Sequence, residues 1–314
     1  MKRVLLAEPR GFCAGVDRAI SMVEQALETY GEPVYVRKQI VHNEHVVREL
    51  QGRGARFVDS EDEVPEGAIC VFSAHGVSPA VRDNSARRGL RVIDATCPLV
   101  AKVHQEAKRA SANGRTIVLI GHADHEEVEG TFGEAPDRTV VVPTVDSARR
   151  LELPEGTEVT FLTQTTLSLD ETRDIITELT RRFPGIQGPG TDDICYASQN
   201  RQNAVKEIAA RSDVVLVVGS DNSSNSVRMV EVARGRGTPA YLVNDVSRLD
   251  ESRLAGADAV GVTAGASAPE FLVRQLLNRL DELGYTGREV VRTTTENVTF
   301  AVPGSLFDHA GHRD

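Results

Sequence analysis

Tryptophan is absent from the 314-residue sequence and aromatic residues make up only 4% of it, which argues against base-stacking platforms for nucleic acid. Basic residues are also in the minority. Thirty-six Lys and Arg against 46 Asp and Glu leave a net charge of −10, so the basic footprint of a duplex-binding protein is missing and no nucleic-acid partner is expected. No apolar run approaches the roughly 18 residues of a membrane span, and Val214–Val218 is among the longest, so no membrane association is expected either. The N-terminal run Val4–Ala7 stops at Glu8, too short for a signal peptide. That points to the cytoplasm, where thiols stay reduced, and four cysteines are then not a disulfide framework. Neither G-x-x-x-x-G-K-[ST] nor G-x-G-x-x-G occurs, so ATP or dinucleotide binding has no support. The paired C-x-x-C of many zinc sites is missing too.

What remains is an ordinary globular composition, 40% apolar and 26% charged, in a length that suits about two domains, with three also possible. Short β-branched runs alternate with helical patterns. Candidate strands are Val4–Ala7, Val34–Val36, Ala68–Phe72, Arg91–Ile93, Thr116–Ile120, Thr139–Val142, Val159–Leu162, Val214–Val218, Ala240–Val243 and Ala259–Val262. Candidate helices include Val16–Tyr30, Leu99–Asn113, Leu169–Arg182, Asn200–Arg211 and Pro269–Leu283. This alternation predicts an α/β protein with mostly parallel sheets.

The spacing carries more than the elements do. Cys13, Cys97 and Cys195 each stand just before a helical pattern. The next polar loop after a strand follows 29 residues later at His42, 28 later at His125 and 28 later at Ser223. A second such loop follows at His75, Thr165 and Ser267, 62, 68 and 72 residues after the cysteine. Each third of the chain reads as cysteine, helix, strand, polar loop, strand, polar loop, helix. We therefore expect three similar α/β units, 14–97, 98–195 and 196–285, arranged as a pseudo-threefold trefoil around a central cavity. The N-terminal strand, 1–13, is placed in the central layer and 286–314 in a C-terminal tail, with Phe307–Asp314 mobile. Ligands of α/β units gather at the carboxyl ends of strands, where these nine residues fall.

Cys70 lies inside an apolar strand and reads as a small core residue. Cys13, Cys97 and Cys195 sit at helix starts, where the dipole favours thiolate. Three single thiolates from separate units suit an iron–sulfur cluster, and three ligands in place of the usual four leave one iron open as a Lewis acid. A zinc hydrolase using Cys and His ligands is a further alternative. His42, His75 and His125 offer ring N–H donors. The Ser/Asn-rich turn Gly219–Ser226 and the Thr-Ala-Gly-Ala-Ser segment Thr263–Ser267 offer hydroxyls and free amides, together an anion-binding surface for a small phosphorylated molecule. Glu127, two residues past His125 in what reads as an extended loop, would form a proton-delivery pair with Thr165; Glu126 and Glu129 read as a charged surface run.

Seven segments carry a specific resemblance: Pro-Arg-Gly-Phe-Cys-Ala-Gly-Val-Asp-Arg-Ala, Ser-Ala-His-Gly-Val-Ser, Asp-Ala-Thr-Cys-Pro-Leu-Val, Gly-His-x-x-His-x-Glu-Val-Glu-Gly-Thr, Thr-Gln-Thr-Thr-Leu-Ser, Asp-Asp-Ile-Cys-Tyr-Ala and Gly-Val-Thr-Ala-Gly-Ala-Ser-Ala-Pro. Over residues 1 to about 285 the chain resembles the LytB/IspH family of 4-hydroxy-3-methylbut-2-enyl diphosphate reductases. The resemblance implies a trefoil of three α/β units around a 4Fe-4S cluster held by Cys13, Cys97 and Cys195. It implies two-electron, two-proton reductive dehydroxylation of an allylic diphosphate to isopentenyl and dimethylallyl diphosphate, the last step of the non-mevalonate isoprenoid pathway. It also implies a ferredoxin or flavodoxin as electron donor. Carried over by position, His42, His75, His125, Ser223, Ser224, Asn225 and Ser267 would hold the diphosphate. Glu127 would be the proton source, with Thr165 and Thr166 near the substrate hydroxyl and Gln164 in support. The competing reading is a non-catalytic iron–sulfur redox sensor, which has no need of an anion-binding surface.

Overall fold

Runs of Val, Ile and Leu too short for helices become strands, and the computed structural model, which describes residues 2–304, pairs every one of them in parallel. The first third holds β1 (Arg3–Glu8), α1 (Ala14–Tyr30), β2 (Val34–Arg37), α2 (Glu44–Gly52), β3 (Ala55–Val58), β4 (Ile69–Phe72), α3 (Pro79–Arg87) and β5 (Arg91–Asp94). The second holds α4 (Pro98–Ala112), β6 (Thr116–Ile120), α5 (Glu126–Gly133), β7 (Thr139–Val142), α6 (Val145–Arg150), β8 (Val159–Thr163) and α7 (Leu169–Arg182). The last holds α8 (Tyr196–Ala209), β9 (Val214–Val218), α9 (Ser224–Gly235), β10 (Ala240–Val243), β11 (Ala259–Ala264), α10 (Glu270–Glu282) and β12 (Gly287–Arg292). No helix among the described residues is long and apolar enough to cross a membrane.

The fold is α/β, with three parallel sheets that share one nucleus. In each, the first strand after the cysteine-led helix lies in the middle, the second on one side and the third on the other: β3-β2-β4, β7-β6-β8 and β10-β9-β11. β5 extends the first nucleus, and β1 and β12 extend the last in the order β11-β1-β12.

The chain packs as two compact units. One comprises the described residues up to Val16, His42–Val46 and Tyr196–Thr299; the other comprises Asp17–Val41, Val47–Cys195 and the described residues from Phe300. In the first unit, alternation along β9 sends Val214, Leu216 and Val218 to one face, against Leu272, Val273 and Leu276 of α10. Val215 and Val217 face the other way, with Ala204, Val205 and Ile208 of α8 and Met229 of α9. Both faces are covered, so β9 reads as an unbroken apolar run. In the second unit, β6 divides in the same manner, Val118 and Ile120 toward Ile175 and Leu179 of α7, Ile117 and Leu119 toward Val103 and Ala107 of α4.

Two expectations need correction. Between its two polar loops each third holds at least a helix and a strand more than the spacing pattern contained: α2 and β3, then α5, β7 and α6, then α9 and β10. β3 was invisible because only Ala55 of its Ala-Arg-Phe-Val is buried. The segment 286–314 is not wholly a tail: β12 runs parallel to β1, in register from Arg3↔Gly287 to Glu8↔Arg292. It is an edge strand on which Val291 alone is buried, so it lacks the apolar signature of a central strand. Phe307–Asp314 lies outside the described residues.

Candidate functional site

The three loop cysteines share one construction. Cys13, Cys97 and Cys195 each immediately precede the first residue of a helix, α1, α4 and α8. Each also docks its own amide on the second polar loop of a third. The Cys97 N–H donates to Ala74 O at 3.0 Å, Cys195 N–H to Thr165 O at 2.9 Å and Cys13 N–H to Ala266 O at 3.3 Å. All three lie outside any disulfide and are half-buried. Cys70 is different: it is wholly enclosed in β4, and burial pushes its thiol up to about 12, so it stays protonated and inert. A thiol at a helix N-terminus is a soft donor, of the kind that suits an iron–sulfur group better than a hard cation.

In the second unit the acid–base residues come together. Glu127 is not in an extended loop; it lies in the first turn of α5, which His125 caps by accepting the Glu127 N–H on Nδ1 at 3.2 Å. That turn aims the Glu127 carboxyl inward. It is fully buried, and its oxygens accept the Thr165 N–H at 2.6 Å and the Thr165 hydroxyl at 3.0 Å. Burial outweighs these two bonds and raises its pKa to about 7. Glu127 therefore exchanges a proton near neutrality, as a general acid must. Gln164 ties the neighbouring groups, accepting the His122 N–H at 3.1 Å and donating to Thr166 Oγ1 at 2.9 Å.

The imidazoles of His75 and His125 meet edge to face, with ring centroids 5.8 Å apart. Burial lowers both pKa values to about 4, leaving neutral rings. Glu126 is half-buried with a carboxylate oxygen 3.3 Å from His75 Nδ1, so the expectation of a plain surface charge holds for exposed Glu129 and not for Glu126. Asp193, missed in the sequence, is buried beside this region. It accepts the Thr163 N–H at 3.0 Å and its pKa is raised to about 7, chiefly by burial. Its only signal was its place two residues before Cys195.

The first unit gathers His42, Ser223, Ser224, Asn225 and Ser267, with Cys13 on the same loop system. Ser223 caps α9, and its hydroxyl lies 3.0 Å from Ser226 Oγ and 3.5 Å from Ser267 Oγ. The Ser267 hydroxyl donates to His42 O at 3.0 Å. Asn225 accepts the Ala266 N–H at 2.8 Å on Oδ1, while its buried Nδ2 has no partner among the described residues. Gly219 and Gly265 admit this packing, since a Cβ at either would fall within 2.3 Å of Ser226 Oγ. The set is rich in donors and contains no carboxylate, the chemistry of an anion cradle. Asn43, also missed, holds the neighbouring turn: its Oδ1 accepts the His45 and Val46 amides at 3.0 and 3.2 Å.

The family model described as LytB protein matches residues 4–281. The chain belongs to the LytB protein family. A curated LytB-family relative from Rhodococcus opacus (strain B4), named 4-hydroxy-3-methylbut-2-enyl diphosphate reductase, is 58% identical over 97% of this chain and 91% of its own. One of the same name from Tropheryma whipplei (strain TW08/27) is 58% identical over 97% and 98%. Among solved structures, the E-1-hydroxy-2-methyl-but-2-enyl-4-diphosphate reductase from Plasmodium falciparum superposes with a TM-score of 0.95 at 38% identity, covering 98% of this chain and 97% of that one. A second, an (E)-4-hydroxy-3-methyl-but-2-enyl diphosphate reductase described as the terminal enzyme of the non-mevalonate pathway, gives 0.62 at 30% identity, covering 90% and 100%.

Proposed function

We propose that this LytB-family chain is a 4-hydroxy-3-methylbut-2-enyl diphosphate reductase, acting in the cytoplasm at the last step of the non-mevalonate isoprenoid pathway. Two electrons and two protons remove the allylic hydroxyl as water and leave isopentenyl or dimethylallyl diphosphate. The electrons come from a small redox protein of the ferredoxin or flavodoxin class. Residues 14–97, 98–195 and 196–285 act as three repeats, each beginning directly after a ligand cysteine. Cys13, Cys97 and Cys195 hold a 4Fe-4S cluster with one iron left without a protein ligand. When bound, that cluster supplies electrons and an open Lewis-acid site for the substrate oxygen.

The chain's own residues do the rest. Ser223, Ser224, Asn225, Ser267 and His42 receive the diphosphate with hydroxyl, amide and ring donors, which an acidic protein must concentrate locally to bind an anion at all. His75 and His125, held neutral by burial, each keep one ring N–H to donate, and each gains a proton when an anion arrives. Glu127 delivers a proton toward the departing hydroxyl, with Thr165 fixing the carboxyl. Thr166, oriented by Gln164, borders the same oxygen. The buried, proton-bearing Glu127 bonded twice to Thr165 carries this reading, because a sensor or a structural domain has no use for an acid tuned to neutrality in a closed site.

The test is anaerobic reduction of the diphosphate substrate by an artificial donor, with iron and acid-labile sulfide counted on the same sample. Turnover with close to four irons and four sulfides per chain is expected. A chain that carries the cluster and turns nothing over is a sensor, and a chain that carries zinc in place of iron overturns the cluster assignment.

A further inference from the structure

Each helix opened by one of the three cysteines carries a cation five or six residues further on: Arg18 after Cys13, Lys102 after Cys97 and Arg201 after Cys195. A helix gains nothing from positive charge near its N-terminus, and although Lys102 also meets Glu106 at 3.6 Å and Arg201 also donates to Ala197 O at 3.0 Å, none of the three is confined to its own helix. Each reaches back to main-chain oxygens of the segment that leads into another cysteine. Arg18 Nη1 donates to Ala95 O at 3.4 Å and Thr96 O at 3.1 Å, the two carbonyls before Cys97. Arg201 donates to Gly11 O at 2.7 and 3.0 Å and to Phe12 O at 3.1 Å, the two carbonyls before Cys13. Lys102 Nζ donates to Thr191 O at 2.7 Å, Asp192 O at 3.2 Å and the Asp193 carboxylate at 3.0 Å, in the segment before Cys195.

In chain order the pattern is cyclic. The helix of Cys13 holds the approach to Cys97, that of Cys97 the approach to Cys195, and that of Cys195 the approach to Cys13. One such contact is commonplace. Three at offsets of five or six residues, each with main-chain carbonyls of a cysteine approach as acceptors, make a repeated device. The side chains are also held at their outer ends. Arg18 Nε donates to Ala301 O at 3.1 Å, and the fully buried Arg201 is matched by Glu296 at 3.0 Å and by Ala197 O. Burying a guanidinium is costly unless every donor nitrogen is bonded, and in Arg201 all three are.

We propose that Arg18, Lys102 and Arg201 are equivalent positioning residues that pin the three cysteine loops, each acting on the loop of a different third. The role in presenting cluster ligands rests on the function proposed above; the pinning of the loops does not. Hydrogen–deuterium exchange on the full chain as purified tests it, because each cysteine amide is itself hydrogen-bonded and reports opening of its own loop. Arg18→Gln should speed exchange about tenfold at Cys97 alone, and Lys102→Ala about tenfold at Cys195 alone, while Lys102→Arg restores it. Arg201→Lys, gentler than truncation at a buried site, should speed exchange at Cys13 alone. In the cluster-loaded chain each variant should lose iron to a chelator faster, with substrate KM unchanged. Exchange that rises equally at all three cysteines, or at none, overturns the proposal; the half-exposed Lys102 site keeps this readable even if the Arg201 variant fails to fold. Selective exchange in a chain that binds no iron supports the pinning and overturns the cluster reading.

Discussion

Thr165 and Ser267 occupy the same place in two of the three sheet nuclei, the loop after the third strand, and His125 and Ser223 both cap the helix after the first. The frame is repeated and the chemistry is not. In the second unit this corner encloses one carboxyl and raises its pKa to about 7. In the first unit the corner holds hydroxyls, an amide and a histidine backbone, with no acid. A repeated scaffold can thus hold an acid that moves a proton at one corner and donors that hold an anion at another, by exchanging side chains at fixed backbone positions. In the division of labour proposed here, the proton site would depend on the exclusion of water and the anion site on its wealth of donors.

The comparison presupposes the three thiols, so the largest effect is expected there. Cys13→Ser should lose most of its iron and all measurable turnover while its far-ultraviolet dichroism stays that of the parent; a brown, active protein would remove Cys13 from the ligand set. Glu127→Gln sharpens the contrast between the corners. It should keep its iron and its KM while kcat falls about 10²–10⁴-fold. In the parent, turnover should decline as pH rises through about 7, where Glu127 loses its proton. An unchanged kcat in the variant ends its role as acid. Asn225→Ala probes the other corner and should show the converse, KM up by roughly tenfold or more with kcat little affected. If both variants moved kcat and KM alike, the division of labour would be wrong.

A smaller effect is expected in stability against pH without substrate. Glu127 has a raised pKa, so its contribution is present at low pH and is lost as pH climbs from 4.5 through about 7. His75 and His125 have lowered values, so theirs is lost as pH falls from 6.5 toward about 4. Asp193, raised in the same way, adds a loss of the same sign, so Glu127→Gln should reduce the alkaline loss without abolishing it and leave the acid loss unchanged, read as Tm between pH 4 and 8. Smallest of all, Cys70→Ala should cost about 1 kcal/mol for its vacated core volume and leave activity and iron unchanged.

Much of this was legible in the sequence because parallel strands buried on both faces announce themselves. The central strands Thr116–Ile120 and Val214–Val218 have the bounds expected of them, and so do Thr139–Val142 and Ala240–Val243, edge strands made wholly of apolar or β-branched residues. What was hidden had one face in solvent or depended on distant partners. β3 and β12 bury one residue each. The helices α2, α5 and α9 are short and begin in the polar loops that were read for their chemistry, which masked their role as caps. The Glu127–Thr165 pair was legible as a pair; its geometry was not, because Glu127 points inward through a helical turn. The cations at Arg18, Lys102 and Arg201 were in view all along, five or six residues after the cysteines, yet a helix-borne Arg or Lys carries no signal until its acceptors are known.

β1 lies between β11 and β12, so the sixth residue of the chain waits for residues 262 and 290 before its backbone is satisfied. On the ribosome the two earlier sheets can therefore be complete while this N-terminal strand still has no neighbours. Cys13 follows directly behind it. Its thiol is thus made before those of Cys97 and Cys195, yet the strand that leads into it finds its place in a sheet only after both of them have been made.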